Sequence, residues 1–165
     1  MGSGRYLIAL GSNMRHPRYG APRQVIEAAI VALGMAGLPV EAVSPVVTSA
    51  PLGRSRRRYA NAAAIVASDL APEALLDRLQ SLEHAFGRRR RGSRWGARVL
   101  DLDIVLWSGG PWCSARLVIP HREFRYRTFV LGPAAAIAAH WRDPVSGRSL
   151  RQLHHALTRP TARIA

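Results

Sequence analysis

RWGARVLDLDIVLW, residues 94–107, is the stretch on which the reading of this chain turns. From Val99 to Trp107 it is a β-branched, aliphatic and aromatic run of strand length, interrupted only by two aspartates. Side chains on a strand alternate faces, so Asp101 and Asp103 share one face, their backbones about 7 Å apart, while Leu100, Leu102 and Ile104 face the other way. Two like charges on one face are unfavourable unless a cation, an arginine or open water compensates them. Two readings stay open: a half-buried strand with a wet outer face, or a carboxylate pair that holds a ligand.

Immediately upstream, residues 87–97 read G-R-R-R-R-G-S-R-W-G-A, a loop dense in cations and glycine. Before it, Pro72 starts a helix whose apolar face is Leu75, Leu76, Leu79, Leu82 and Phe86, with Gly87 as its stop. Glu83 falls on that apolar face near the helix C-terminus, where the dipole disfavours an anion. It therefore requires a partner, for which a following arginine is one candidate. Further upstream, Arg5–Leu10 reads as a first strand broken by Gly11-Ser12-Asn13. Pro22 then opens a helix with Val25, Ile26, Ala29, Ile30 and Leu33 on its apolar face and Gly34 or Gly37 at its end. Val40–Val47 and Tyr59–Ser68 read as two strands joined by a polar loop, Thr48–Arg58, that carries Arg54, Arg56, Arg57 and Arg58. Downstream come a short segment, Leu117–His121, an alanine-rich helix over Thr128–Ala139, and a last helix capped by Ser149 and running through Leu157. The order β-α-β-β-α-β followed by helices predicts an α+β fold with a ferredoxin-like core, a three-layer α-β-α sandwich.

A chain of 165 residues with 48% hydrophobic content is expected to form one domain, 1–165, with a core of its own. No apolar stretch approaches the length of a bilayer span, no secretory signal is evident, and the single cysteine, Cys113, excludes an internal disulfide, so a cytoplasmic protein is expected. A formal charge of +14 points toward polyanions. All 24 basic residues are arginines, however, and a chain without lysine builds neither a Walker A loop nor a protein-kinase site in its usual form. Phosphate chemistry here must run on arginine. A basic RNA-binding α+β module is the competing reading, but no aromatic-rich RNA-binding strand is present and the aspartate pair would repel a nucleic-acid backbone, which leaves nucleic acid the weaker expectation.

Taken together, A-L-G-S-N (9–13), P-L-G (51–53), Y-A-N (59–61), E-x-x-x-G-R-x-R (83–90), R-W-G-A-R-V-L-D-L-D (94–103), I-P-H (119–121) and R-T-F (127–129) resemble the 6-hydroxymethyl-7,8-dihydropterin pyrophosphokinases over nearly the whole chain. That family moves a pyrophosphoryl group from ATP to a pterin alcohol, a step of folate biosynthesis. The resemblance implies that Asp101 and Asp103 bind metal, with two magnesium ions between them and the phosphates of ATP. It implies Arg88 and Arg98 as catalytic arginines, and Gln80, Glu83, Arg90, Arg91, Trp95, Ile104, His121 and Arg127 on the ATP side. On the pterin side it implies Tyr59 and Phe129 sandwiching the flat ring, Asn61 bonding its amide-like edge, and Leu52 and Trp95 completing the pocket.

The chain departs from the family's common pattern at Ser49-Ala50, Arg56-Arg57-Arg58, Ala97 and Arg122, so a paralogue acting on a modified pterin is a second expectation. The mechanism expected is in-line attack on the β-phosphorus with AMP leaving, driven by positioning and electrostatics. Loops 48–58 and 87–97 are expected to close over the substrates, and the chain is expected to act as a monomer.

Overall fold

The computed structural model describes residues 3–49, 58–87 and 98–160. Its elements run in the order β1 (Gly4–Ser12), α1 (Pro22–Met35), β2 (Val40–Val43), β3 (Val47–Ser49), β4 (Tyr59–Ser68), α2 (Pro72–Ala85), β5 (Asp101–Trp107), β6 (Trp112–Cys113), β7 (Val118–Ile119), a 3-10 turn (Phe124–Tyr126), α3 (Thr128–Ala138) and α4 (Leu150–Thr158). The main sheet has the order β2-β4-β1-β5, with β3 also pairing β4, and its neighbours are antiparallel. This is the ferredoxin-like order. Each crossover helix returns the chain to the sheet on one face, which leaves the other face for the C-terminal helices.

Alternation along the central strands sorts the core into two layers. Tyr6, Ile8 and Leu10 of β1 pack with Val25, Ile26, Ala29 and Leu33 of α1, Leu75 and Leu79 of α2, and Leu102 and Ile104 of β5. Leu7, Ala63, Ile65, Val105 and Leu106 pack on the other face with Phe124, Leu131, Ala134, Leu150 and Leu153. The fold is thus an α-β-α sandwich. Ser149 caps α4 by accepting the amide N–H of Gln152, as its position predicts.

The structure departs from the sequence reading at four places. Val40–Val47 is broken at Ser44-Pro45: the Ser44 hydroxyl accepts the Ala63 N–H at 2.8 Å while Ser44 donates its own N–H to the Ala63 carbonyl, and Pro45 has no N–H to continue the ladder. Pairing with β4 then resumes at Val47, so Thr48 belongs to a strand. β1 runs on through Gly11 and Ser12, which pair with Asn61 and Ala60 of β4, so the turn formers there do not break the strand, whereas α1 and α2 end where expected, with Gly37 at φ +78° and Gly87 at φ +93°, a conformation glycine adopts without strain. β5 begins at Asp101, because residue 98 is held in a separate pairing with Asn13. The small β6–β7 hairpin went unread.

Candidate active site

Among the described residues, none covers the α3/α4 face of the sheet at the end where β5 begins. Opposite Asp101 and Asp103 on β1 stand Gly11 and Ala9, and beside Gly11 on β4 stands Asn61, all on this face by the same parity as Leu7 and Ala63. The small β1 residues leave room above the sheet, and a Cβ at position 11 would come within 3.3 Å of the Asn61 amide oxygen. A cavity of about 630 Å³ opens there. Its floor is the two aspartates with Asn61 and Tyr59, and its walls come from Arg98, His121, Arg127 and Phe129.

Arg98 is fixed twice. Its amide donates to Asn13 Oδ1 at 2.6 Å and its carbonyl accepts the Asn13 N–H at 3.0 Å, while its guanidinium donates to Asp101 Oδ1 at 3.2 Å. Asn13 thus does more than follow β1: buried, it holds the residue from which a cation reaches the carboxylate pair. On the other side, His121 Nε2 lies 4.0 Å from Asp103 Oδ2, and His121 Nδ1 accepts the Glu123 N–H. That bond leaves Nε2 as the protonated nitrogen of the neutral ring. Burial, helped by Arg127, lowers the imidazole pKa, so the neutral form is favoured, with Asp101 opposing. Arg127 pairs with Glu123 and sits 5.8 Å over the ring of Phe129. Burial raises the Tyr59 phenol, while Arg98 and Arg127 oppose the shift. The ring stays neutral.

Of the residues expected from sequence, Tyr59, Asn61, Arg98, Asp101, Asp103, Ile104, His121, Arg127 and Phe129 come together around this cavity. Among the described residues, Gln80 and Glu83 do not line it. Glu83 is 3% exposed beneath β5, and its Oε1 accepts the N–H of Leu102 at 3.1 Å. The partner its helical position demands includes a backbone amide between the two aspartates, a bond that ties α2 to β5. Leu52, Arg88, Arg90, Arg91 and Trp95 lie outside the described residues. Sequence reasoning missed Glu123, although the E-x-x-x-R spacing to Arg127 signals the pair, and it missed Arg116, which joins the cavity wall while pairing with Asp77 of α2 at 2.5 Å.

Residues 7–139 match the family model of 7,8-dihydro-6-hydroxymethylpterin-pyrophosphokinase. The chain belongs to that family. A 2-amino-4-hydroxy-6-hydroxymethyldihydropteridine pyrophosphokinase of Pseudomonas aeruginosa is 42% identical over 153 residues, covering 90% of this chain and 89% of its own. The one from Synechocystis sp. is 37% identical over 148 residues, covering 89% of this chain and 73% of its own. Among solved structures, a Plasmodium falciparum HPPK-DHPS crystallised with pteroate superimposes with a TM-score of 0.72 over 93% of this chain at 10% identity, a likeness of fold. The chain spans 44% of that malarial chain. The matched residues of this pyrophosphokinase-family chain include every described wall and floor residue named above, from Ala9 to Phe129.

A magnesium ion fits the donor set. Asp101 and Asp103 offer hard carboxylate oxygens on one face, and among the described residues no three His, Cys, Asp or Glu side chains converge into a cage. A cation held here must complete its shell with water and substrate oxygens, which is how magnesium is bound where phosphates are handled.

Proposed function

We infer that this chain transfers the pyrophosphoryl group of ATP to the hydroxymethyl oxygen of 6-hydroxymethyl-7,8-dihydropterin, giving the pterin diphosphate and AMP, a step of folate biosynthesis. The observation that carries this reading is the meeting, in one cavity, of a carboxylate pair flanked by arginines with an aromatic pair and an amide. The first set suits a metal-bound polyphosphate; the second suits a flat heterocycle with an amide-like edge.

In the reaction the hydroxymethyl oxygen attacks the β-phosphorus in line, the bond from that phosphorus to the α,β-bridging oxygen breaks, AMP leaves carrying that oxygen, and the hydroxyl proton passes to solvent. Tyr59 and Phe129 hold the pterin ring by stacking, and Asn61 fixes its rotation. Arg98 and Arg127 place fixed guanidinium forks beside the phosphates, and the Nε2–H of neutral His121 donates to a phosphate oxygen. Asp101 and Asp103 would hold magnesium, two ions in this reading, which would supply neutralisation of charge on the transferring group. Most of the barrier is lowered by positioning and by charge arranged in advance. No described residue has to act as general base. We place this work in a single cytoplasmic domain acting as a monomer.

The test is product identity. Incubation with ATP, magnesium and the pterin alcohol is expected to yield AMP and pterin diphosphate in equal amounts; formation of ADP, or hydrolysis of ATP indifferent to the pterin, would overturn the reading.

A further inference from the structure

Asp143 is fully buried, far along the chain from the carboxylate pair and outside the cavity. Burial alone would push its carboxyl pKa up, yet hydrogen bonds from Arg125, Ser146 and the Val145 amide hold it well below the usual carboxylate range. The Arg125 contact is a two-point fork: Nε donates to Oδ2 and Nη2 to Oδ1, both at 2.7 Å. The Ser146 hydroxyl adds 2.7 Å to Oδ2 and the Val145 N–H adds 3.1 Å to Oδ1, so each oxygen is satisfied twice. The turn that carries Asp143 is closed by backbone bonds from Asp143 N to Arg148 O and from Gly147 N to Asp143 O. It is a rigid anchor.

Arg125 stands in the middle of the segment that lends the cavity His121, Glu123 and Arg127, yet it is not itself among the described lining residues. Its guanidinium lies 4.7 Å from the ring centre of Phe124, a wholly buried member of the α3/α4 core layer. Elsewhere the segment is held where His121 N donates to Val105 O, where Phe124 enters the core, and where Arg127 O accepts the Leu131 N–H at the start of α3. Within the segment run 3-10 contacts, the Phe124 N–H to His121 O and the Arg127 N–H to Phe124 O at 3.4 Å and the Tyr126 N–H to Glu123 O at 3.1 Å, and the Glu123 N–H bonds His121 Nδ1. Fixing the middle of a short irregular segment fixes the side chains on either side of it.

We propose that Asp143 is a positioning residue for the phosphate side of the site, acting through the Arg125 fork to set where His121 and Arg127 stand. This rests on the reading of His121 and Arg127 as ATP-side residues. The fork leaves Tyr59, Asn61 and Asp101 untouched, since they are carried by β4 and β5, and Phe129, which follows Arg127, is carried by α3, held in the core through Leu131, Ala134 and Ala138. Its loss therefore separates the two substrates.

Arg125→Lys keeps a charge beside Asp143 but replaces the planar fork by a single point. It is expected to raise the KM for ATP about tenfold, the scale of a sub-ångström misplacement, with Asp143→Asn larger. The KM for the pterin is expected to stay within about twofold, the scatter of independent sites. A purely structural role lowers the melting temperature of Arg125→Lys but leaves both KM values of the folded enzyme alone, and that result overturns the proposal, as does an equal rise in both. If Asp143→Asn does not fold, Arg125→Lys carries the test. In an Arg127→Ala background, Arg125→Lys is expected to add little to the ATP effect; full additivity overturns the coupling. Arg127→Ala and His121→Ala each leave the Arg125–Asp143 fork in place, so an ATP KM unmoved by both refutes the ATP-side reading, and the proposal with it, whereas one moved by them but not by Arg125→Lys refutes the proposal alone.

Discussion

From Val105 to Trp107, β5 is packed on both faces: Val105 and Leu106 are consecutive residues that both enter the α3/α4 layer, and Trp107 stacks on Tyr6 on the opposite side. From Asp101 to Asp103 the same strand is packed, among the described residues, on one face, with Leu102 in the α1/α2 layer and the aspartates over the cavity. The divide is a bulge. Pairing with β1 shifts register between Leu7 and Ile8, so that Leu7 meets Leu106 and Ile8 meets Ile104. A strict alternation would place Leu106 beside Leu102 and Ile104 on the α1/α2 face and carry the aspartate face straight into the second core. The bulge resets the faces where cover begins. The carboxylates keep water, and Asp103 retains 40% side-chain exposure; they also gain a cation, Arg98 on Asp101, and a neutral donor, His121, whose Nε2 lies 4.0 Å from Asp103. Both answers to the repulsion between like charges are therefore in place, and only chemistry distinguishes a wet face from a ligand site.

The sharpest way to break the contrast is a substitution in each half. Asp103→Asn is expected to leave the metal-free melting temperature unchanged or slightly raised, because it relieves like-charge repulsion. Turnover is expected to fall on the order of a thousandfold, about 4 kcal/mol, with the magnesium requirement moved upward, because a neutral amide is a poor ligand for a hard divalent cation. Leu106→Ala does the reverse, costing about 2–5 kcal/mol of stability for the cavity it leaves while the folded fraction keeps its magnesium requirement. Magnesium titrations of activity, paired with melts in chelator, read both. If Asp101→Asn and Asp103→Asn both keep near-normal turnover with an unshifted magnesium requirement, the open half is only a wet strand face.

Arg98→Ala probes the cation that closes the open half. Its guanidinium is aimed from a backbone pinned by Asn13, so its loss is expected to remove one prearranged donor, worth about 3 kcal/mol of transition-state stabilisation. ATP affinity is expected to change less. Single-turnover measurement of AMP formation separates the two; an unchanged transfer rate removes Arg98 from the chemistry.

The D-L-D pattern, the helix faces and the Pro and Gly punctuation made the layers legible, because each rests on a local period that the finished fold keeps. What escaped depends on partners distant in sequence. The break at Ser44 needs the Ala63 amide, and the bulge needs β1 beside β5; neither is a property of its own window. Glu83 is instructive: its place on an apolar face correctly demanded a partner, but a lone residue cannot say whether that partner is a side chain or, as with Leu102, a backbone amide. The Arg125–Asp143 fork spans 18 positions and carries no motif. For the site, spacing gathered residues whose roles come from family likeness, while geometry separated those at the cavity from Gln80 and Glu83.

The smallest expected effect tests how tightly the packed half is sealed. Tyr6 is fully buried, its hydroxyl donates to Leu70 O at 2.6 Å, and its ring lies 5.7 Å from Trp107 at 9°. Burial pushes its phenol up to about 12, against about 10 in an unfolded chain. The folded state therefore holds the proton after the unfolded state has released it, so this contribution to stability is complete below about pH 10 and is lost as pH climbs toward 12. Tyr6→Phe deletes the titration along with a hydrogen bond worth about 1 kcal/mol. Tyr59 shifts in the same direction and is common to both proteins, so the difference between them isolates Tyr6. In urea melts, the stability gap between the native chain and Tyr6→Phe is expected to shrink by roughly 1 kcal/mol from about pH 9 to about pH 11. A gap that stays constant means that the phenol ionises as readily in the fold as in the unfolded chain, and the half of the sheet behind Trp107 is then no better closed to water than the half that carries the aspartates.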